Sequence, residues 1–295
     1  MTPQKHSFGR TQFRYLFRTL PERRSLWHIS HFPQEVLALS RNLWRLRQAL
    51  CQPTPTFRYS GKQCVVVLLS HNRPHNLGVI VRSALKNNFV RRLVVSNSNR
   101  SVRIKDWITA EDPRLMLVDE TLPTQPGHRF VLAEREAGDY FLSVDDDIIL
   151  TPLQWALFFE RLLEDENVPH GLTGNVFRPG SISSNGSPFH QVAGVDAPVD
   201  VLIGAYAFTR AHLRRTFELA RALDMPDLSA VRNGEDILLS CSGIGQSRIH
   251  DVGRLFCCAS SAMEGVALWK THGNFWDERV RLFKNAVAAR AALPV

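Results

Sequence analysis

Between Cys64 and Val144 the apolar positions form short continuous runs separated by stretches with helical spacing. Cys64–Leu69 is unbroken, as in a parallel strand covered on both faces, and His75–Lys86 follows with Leu77, Ile80, Val81 and Leu85 on one side of a helix. The spacing then predicts a strand at Leu93–Ser96, a short helix at Ile104–Ala110, a strand at Leu115–Val118, a helix at His128–Ala137 and a strand at Tyr140–Val144. Alternation of this kind predicts an α/β fold whose first half is a doubly wound, nucleotide-binding sheet. Ligands in such sheets sit beyond the carboxyl ends of the strands.

The second half is less regular. Pro152–Glu164 and Thr209–Leu223 read as helices, Leu172–Phe177 and Val199–Phe208 as strands, and the Gly- and Ser-rich Arg178–Ser187 as a flexible loop near an acceptor. Ahead of the sheet, Val36, Leu39, Leu43, Leu46 and Leu50 recur at helical spacing, and Gln52-Pro-Thr-Pro-Thr56 breaks that helix. The division expected is a basic helical extension and linker over residues 1–58, then a domain over 59–295, with a nucleotide half at about 59–150 and an acceptor half at about 151–295.

Charge sharpens that division. The first sixty residues carry Lys5, Arg10, Arg14, Arg18, Arg23, Arg24, Arg41, Arg45, Arg47 and Arg58 against Glu22 and Glu35, which accounts for the chain's whole net charge of +8. The remainder is neutral, which argues against nucleic acid as a partner, because that needs a basic stripe across the folded surface. The basic, Trp-bearing helix instead suggests peripheral contact with an anionic membrane through residues 1–58, or a helix packed on the domain with a solvated face. Five cysteines form no CxxC pair, so neither a zinc site nor a disulfide framework is indicated. With no signal-peptide pattern and no long apolar run, the expected location is the cytoplasm, either free or peripheral to the inner face of the membrane.

The run Tyr140-Phe-Leu-Ser-Val-Asp145-Asp146-Asp147 carries the most chemistry. Three adjacent carboxylates at the end of a buried strand repel one another, and a hard divalent cation with oxygen ligands is the usual compensation. A nucleoside diphosphate can complete such a coordination sphere. In chain order the run is accompanied by Asn72-Arg73-Pro74 after the first strand, Asn97 after the second, His128-Arg129-Phe130 at a helix start, Asn233-Gly-Glu235-Asp236, and His272 with Arg279.

With that order, the region from Lys62 to Arg279 resembles nucleotide-sugar glycosyltransferases of the GT-A fold, closer to the exostosin-like group than to the large inverting family 2. The resemblance implies a Rossmann-like nucleotide half with a mixed central sheet, a DXD-type metal site for Mn2+ or Mg2+, and transfer from a UDP-sugar or similar donor. The acceptor would be a glycan or glycolipid, as in polysaccharide biosynthesis by a hexosyl- or N-acetylhexosaminyltransferase. Carried over, Asn97 would face the base or ribose, Arg129 the diphosphate, and Asp145 and Asp146 the ribose and metal, with Asp147 a metal ligand. His128 stands where that group has an asparagine. Asn72 and Arg73 join the nucleotide side, since an arginine fork suits a diphosphate.

Glu235 and Asp236 are the catalytic candidates. Asp236 is the general base if transfer inverts, and lies near the reacting centre if it retains. The pair could instead be acids complementing a helix start. His272 is a candidate late metal ligand, and Arg279 could reach the diphosphate or serve only as a helix arginine. A phosphatase of the haloacid dehalogenase type also uses Asp-x-Asp at a strand end, but on its first strand, whereas this run ends the fourth. A basic membrane-binding module rests on the extension alone.

Overall fold

The computed structural model describes residues 8–18, 32–53, 56–184, 186–258, 260–261 and 274–292. The predicted α/β architecture forms. An eight-stranded mixed sheet begins with four parallel strands in the order β3-β2-β1-β4: β1 (Cys64–Ser70), β2 (Val90–Asn97), β3 (Leu115–Asp119) and β4 (Tyr140–Val144). β11 (Ala205–Thr209) then pairs antiparallel with β4, and β6 (His170–Gly171), β12 (Arg248–Ile249) and β9 (Ala197–Pro198) extend the sheet beyond it. This is the mixed sheet expected of the GT-A arrangement, with helices before it.

β1 shows why the strand is apolar throughout. Val66 and Leu68 join one core, Val65 and Val67 the other, and helices cover both faces. α3 (Pro74–Leu85) lies on the first side, and α4 (His128–Arg135) and α6 (Arg210–Ala222) on the second. Because the chain passes from β3 at the edge back to β4 beside β1, the loops after β1 and β4 part from each other and leave a crevice.

The helical extension belongs to the same body. α1 (Phe8–Arg18) and α2 (Phe32–Cys51) send Phe8, Phe13, Leu16, Leu39, Leu43, Leu46 and Leu50 into the first core. Arg58 then ties the linker's end to α5 (Pro152–Glu164) through Glu160, with Nε 3.0 Å from Oε2. α5 starts at a capping box in which Thr151 and Gln154 each accept the other's backbone N–H.

Several expected elements differ. Ile104–Ala110 shortens to a 3-10 turn at Ile104–Asp106. The single strand expected at Val199–Phe208 divides into β10 (Val201–Leu202), in a small antiparallel sheet with β7 (Thr173–Phe177) and β8 (Phe189–Ala193), and β11 in the main sheet. The break is Gly204, at φ +70°, where a Cβ would stand 2.7 Å from Ile148 Cδ1 and 3.4 Å from Asp145 Oδ2. A side chain there would push into the aspartate turn. The last pairing joins β5 (Ile148–Ile149) to β13 (Phe256–Cys257), and α7 (Glu235–Ser240) and α8 (Phe275–Ala292) complete the elements.

Candidate active site

The crevice holds a cavity of about 580 Å³, within the range of small-ligand sites. Its lining includes Asn72, Arg73, Arg129, Asp145, Asp146, Asp147, Arg232, Glu235, Asp236 and Arg279. The topology therefore gathers nearly every residue singled out in the sequence.

β4 delivers the aspartates. Val144 pairs with Leu68 of β1 and with Ala205 of β11, and the Asp145 N–H donates to Gly204 O at 2.7 Å, so the turn starts from a fixed point. The three carboxylates then diverge. Asp145 Oδ1 accepts from Arg129 Nη2 at 2.7 Å. Asp146 is buried, its Oδ1 accepting from Arg73 Nη1 at 2.8 Å, and Asp147 Oδ2 lies 3.2 Å from Arg73 Nη2. One guanidinium thus serves two carboxylates. Burial raises the pKa of Asp146, with Arg73 opposing it. Burial and its two aspartate neighbours push Asp147 up to about 6 despite Arg73.

Arg129 is buried on α4, not displayed on a surface helix. Its Nε donates to Pro126 O at 3.1 Å, Nη1 to Ser143 Oγ at 3.2 Å, and its guanidinium lies over the Tyr206 ring at 4.9 Å. It also sits 4.0 Å from Glu235. That contact links the aspartate turn to the second acidic pair.

Gly234 places that pair. At φ +97° it turns the chain into α7, and a Cβ there would meet Leu282 Cδ2 at 2.2 Å. Asp236 receives both Nη groups of Arg279, at 2.9 and 2.7 Å, and Oδ1 also accepts its neighbour's backbone N–H from Ile237. Arg279 is itself buried, bonded to Asn233 Oδ1 at 3.2 Å and stacked near Phe275. Glu235 has no such fork. Burial and the neighbouring Asp236 push its carboxyl up to about 8, against the pull of Arg129 and Arg279.

Two of the expected nucleotide-side residues are engaged by the protein itself. Asn97 turns inward, donating to Asn99 O, Val102 O and Asp119 Oδ1 at 2.8–3.0 Å while accepting from Asn99 N. It shapes the loop, and Ser96 and Ser98 line the cavity in its stead. Arg279 is committed to Asp236 rather than extended toward a diphosphate. Asn72 stands exposed on the rim. His272 lies outside the described residues.

Other contributors went unnoticed in the sequence. Asn76, fully buried on α3, donates Nδ2 to Asp146 O at 2.7 Å and accepts from Gln12 Nε2 of α1 at 2.9 Å. Both are polar positions inside apolar helical stripes, which was the available signal. Ser143 and Tyr206, polar positions of β4 and β11, hold Arg129 from two sides.

No protein-family profile matches the chain, and no curated protein does. Among solved structures it is similar to GalNAc-T7 crystallised with UDP, GalNAc and Mn2+, at 13% identity and a TM-score of 0.47 over 65% of this chain. The chain spans 42% of that one. It is also similar to residues 1–349 of S. aureus TarS, at 11% identity and a TM-score of 0.44, over 77% of this chain and 71% of the other.

The donor set suits a hard cation. Among the described residues no three His, Cys, Asp or Glu side chains gather as a ready cage. Asp145 is the most open of the aspartates, its side chain 38% exposed, and Asp147 is the one most burdened by its like-charged neighbours. One or two carboxylates, with phosphate oxygens and water filling the remaining positions, is the usual coordination of magnesium.

Proposed function

We propose that this chain is a metal-dependent glycosyltransferase that moves a hexosyl or N-acetylhexosaminyl group from a nucleoside-diphosphate sugar, a UDP-sugar by preference, to a glycan or glycolipid acceptor. The observation that carries the reading is the charge of the cavity. Five carboxylates (Asp145, Asp146, Asp147, Glu235, Asp236) face four guanidinium groups (Arg73, Arg129, Arg232, Arg279), and three of the four arginines are already paired with aspartates. A diphosphate entering that cavity adds at least two negative charges, so it needs a cation to enter with it.

Asp145 and Asp147 would hold Mn2+ or Mg2+. The bound ion supplies Lewis-acid stabilisation of the departing diphosphate. Arg73 and Arg129 hold the three aspartates apart, so that the ion would meet two of them rather than a closed cage of three. Asn72 and Arg232 remain at the wall as donors to the nucleotide.

Asp236 and Glu235 divide the acceptor side. With both oxygens under Arg279, Asp236 orients the start of α7 and contributes fixed negative charge near the sugar. Glu235 is the carboxyl able to exchange a proton near neutral pH, which suits it to take the proton of the acceptor hydroxyl. The catalytic role expected for Asp236 thereby passes to its neighbour.

The test is a panel of nucleotide sugars assayed for hydrolysis and transfer with Mn2+ and with EDTA. One donor should be turned over with the metal and not with the chelator. Failure to bind any nucleotide sugar, together with release of phosphate from p-nitrophenyl phosphate, would replace this reading with the phosphatase.

A further inference from the structure

We infer that the α1–α2 pair is a docking surface for an anionic lipid bilayer, formed by two matching outward stripes. The sequence Arg-x-Leu-aromatic-Arg occurs twice, as Arg14-Tyr-Leu16-Phe17-Arg18 on α1 and Arg41-Asn-Leu43-Trp44-Arg45 on α2. In both copies the central leucine packs against the first core. The two arginines and the aromatic residue face outward in both. Phe17 is 50% exposed, Trp44 60%, and Leu37, two turns before Trp44 on the same side, 51%.

The helices are fixed as a pair. Phe17 meets Phe32 with ring centroids 5.2 Å apart, and a Cβ on Gly9 would stand 3.8 Å from Leu43, so α1 and α2 run antiparallel. Gln12 anchors α1 from its buried side through Asn76. The stripes are therefore presented by a rigid scaffold.

Charge complementarity selects the occupant. Among the described residues no carboxylate pairs with Arg14, Arg18, Arg41 or Arg45. A second copy of this surface would set arginine against arginine. Exposed aromatic and aliphatic side chains flanked by basic ones fit the headgroup layer, where the rings enter the acyl boundary and the guanidinium groups meet lipid phosphates. The helices are not spanning elements, since no helix among the described residues is long and apolar enough to cross a membrane.

The proposal is independent of what the cavity binds, and it is tested with the full chain in a vesicle flotation assay. The chain should float with phosphatidylcholine vesicles containing about a third phosphatidylglycerol at low salt, and stay behind with phosphatidylcholine alone. Each arginine of the four changed to Gln should lower partitioning about five-fold. Trp44→Ser should weaken it further with an unchanged melting temperature, because the side chain is exposed. Equal binding to neutral vesicles, or indifference to the arginine changes, would overturn the inference. Binding to a soluble polyanion such as heparin with no binding to vesicles would also overturn it, and would assign the stripes to an acidic macromolecule.

Discussion

The two acidic clusters in the cavity are built from the same residue types and end in different electrostatic states. At the β4 turn, three aspartates share Arg73 and Arg129, so negative charge is in excess and the carboxylates are spread apart. At the start of α7, Asp236 takes both arms of Arg279, and the excess falls entirely on Glu235. The first arrangement suits an added cation, the second a carboxyl that exchanges its proton near neutral pH. The lesson is that the count of arginines per carboxylate, rather than the acidic motif itself, sets what each cluster can do.

The strongest challenge to this contrast is Glu235→Gln. It should lower turnover by about 10²–10⁴-fold, the usual weight of a general base, with little change in donor affinity. The same variant tests the proton. Because the folded value of Glu235 lies above its ordinary 4.5, the folded state holds a proton that the unfolded chain has lost between 4.5 and about 8. Stability should thus fall as pH rises through that window, and the Gln variant should lack this part of the slope in urea titrations.

Next in size, Arg279→Leu leaves Asp236 buried and unpaired. Denaturant melts should show a loss of about 3–5 kcal/mol. Retention of full stability would mean that Asp236 is already satisfied without the fork.

Smaller again is Gln12→Leu, which strips Asn76 Oδ1 of its donor while keeping the core filled. A loss of about 1–3 kcal/mol is expected. Because Asn76 also holds Asp146 O, nucleotide binding in the presence of metal should weaken with it. The equivalent change at Asn97, Asn97→Ala, should cost stability through the unsatisfied carbonyls of Asn99 and Val102.

These variants also mark where the sequence was readable. The first half of the sheet was legible because β1, β2 and β4 are buried on both faces and therefore unbroken in hydropathy, with polar residues confined to the turns that follow. The second half was not, because β6, β9, β10 and β12 are two residues long, too short for any period. A single apolar run, Val199–Phe208, serves two sheets across Gly204.

In the site, Asp145–Asp147, Arg129 and the Glu235–Asp236 pair could be found because charge at the end of an apolar segment needs a reason. The loop bonds of Asn97 were not legible, because a polar residue at a strand end can bond its own loop as readily as a ligand. Gln12 and Asn76 went unread, since one polar residue in a helical stripe looks like a surface position until its partner 64 residues away is placed beside it.

The central claim concerns Asp147, the aspartate most burdened by its neighbours. Calorimetry of UDP binding with and without Mn2+, on the wild-type chain and on Asp147→Ala, measures it directly. The account predicts that manganese tightens UDP binding to the wild type and that Asp147→Ala abolishes this gain while leaving the melting transition cooperative. Equal UDP affinity with and without manganese in the wild type would contradict it.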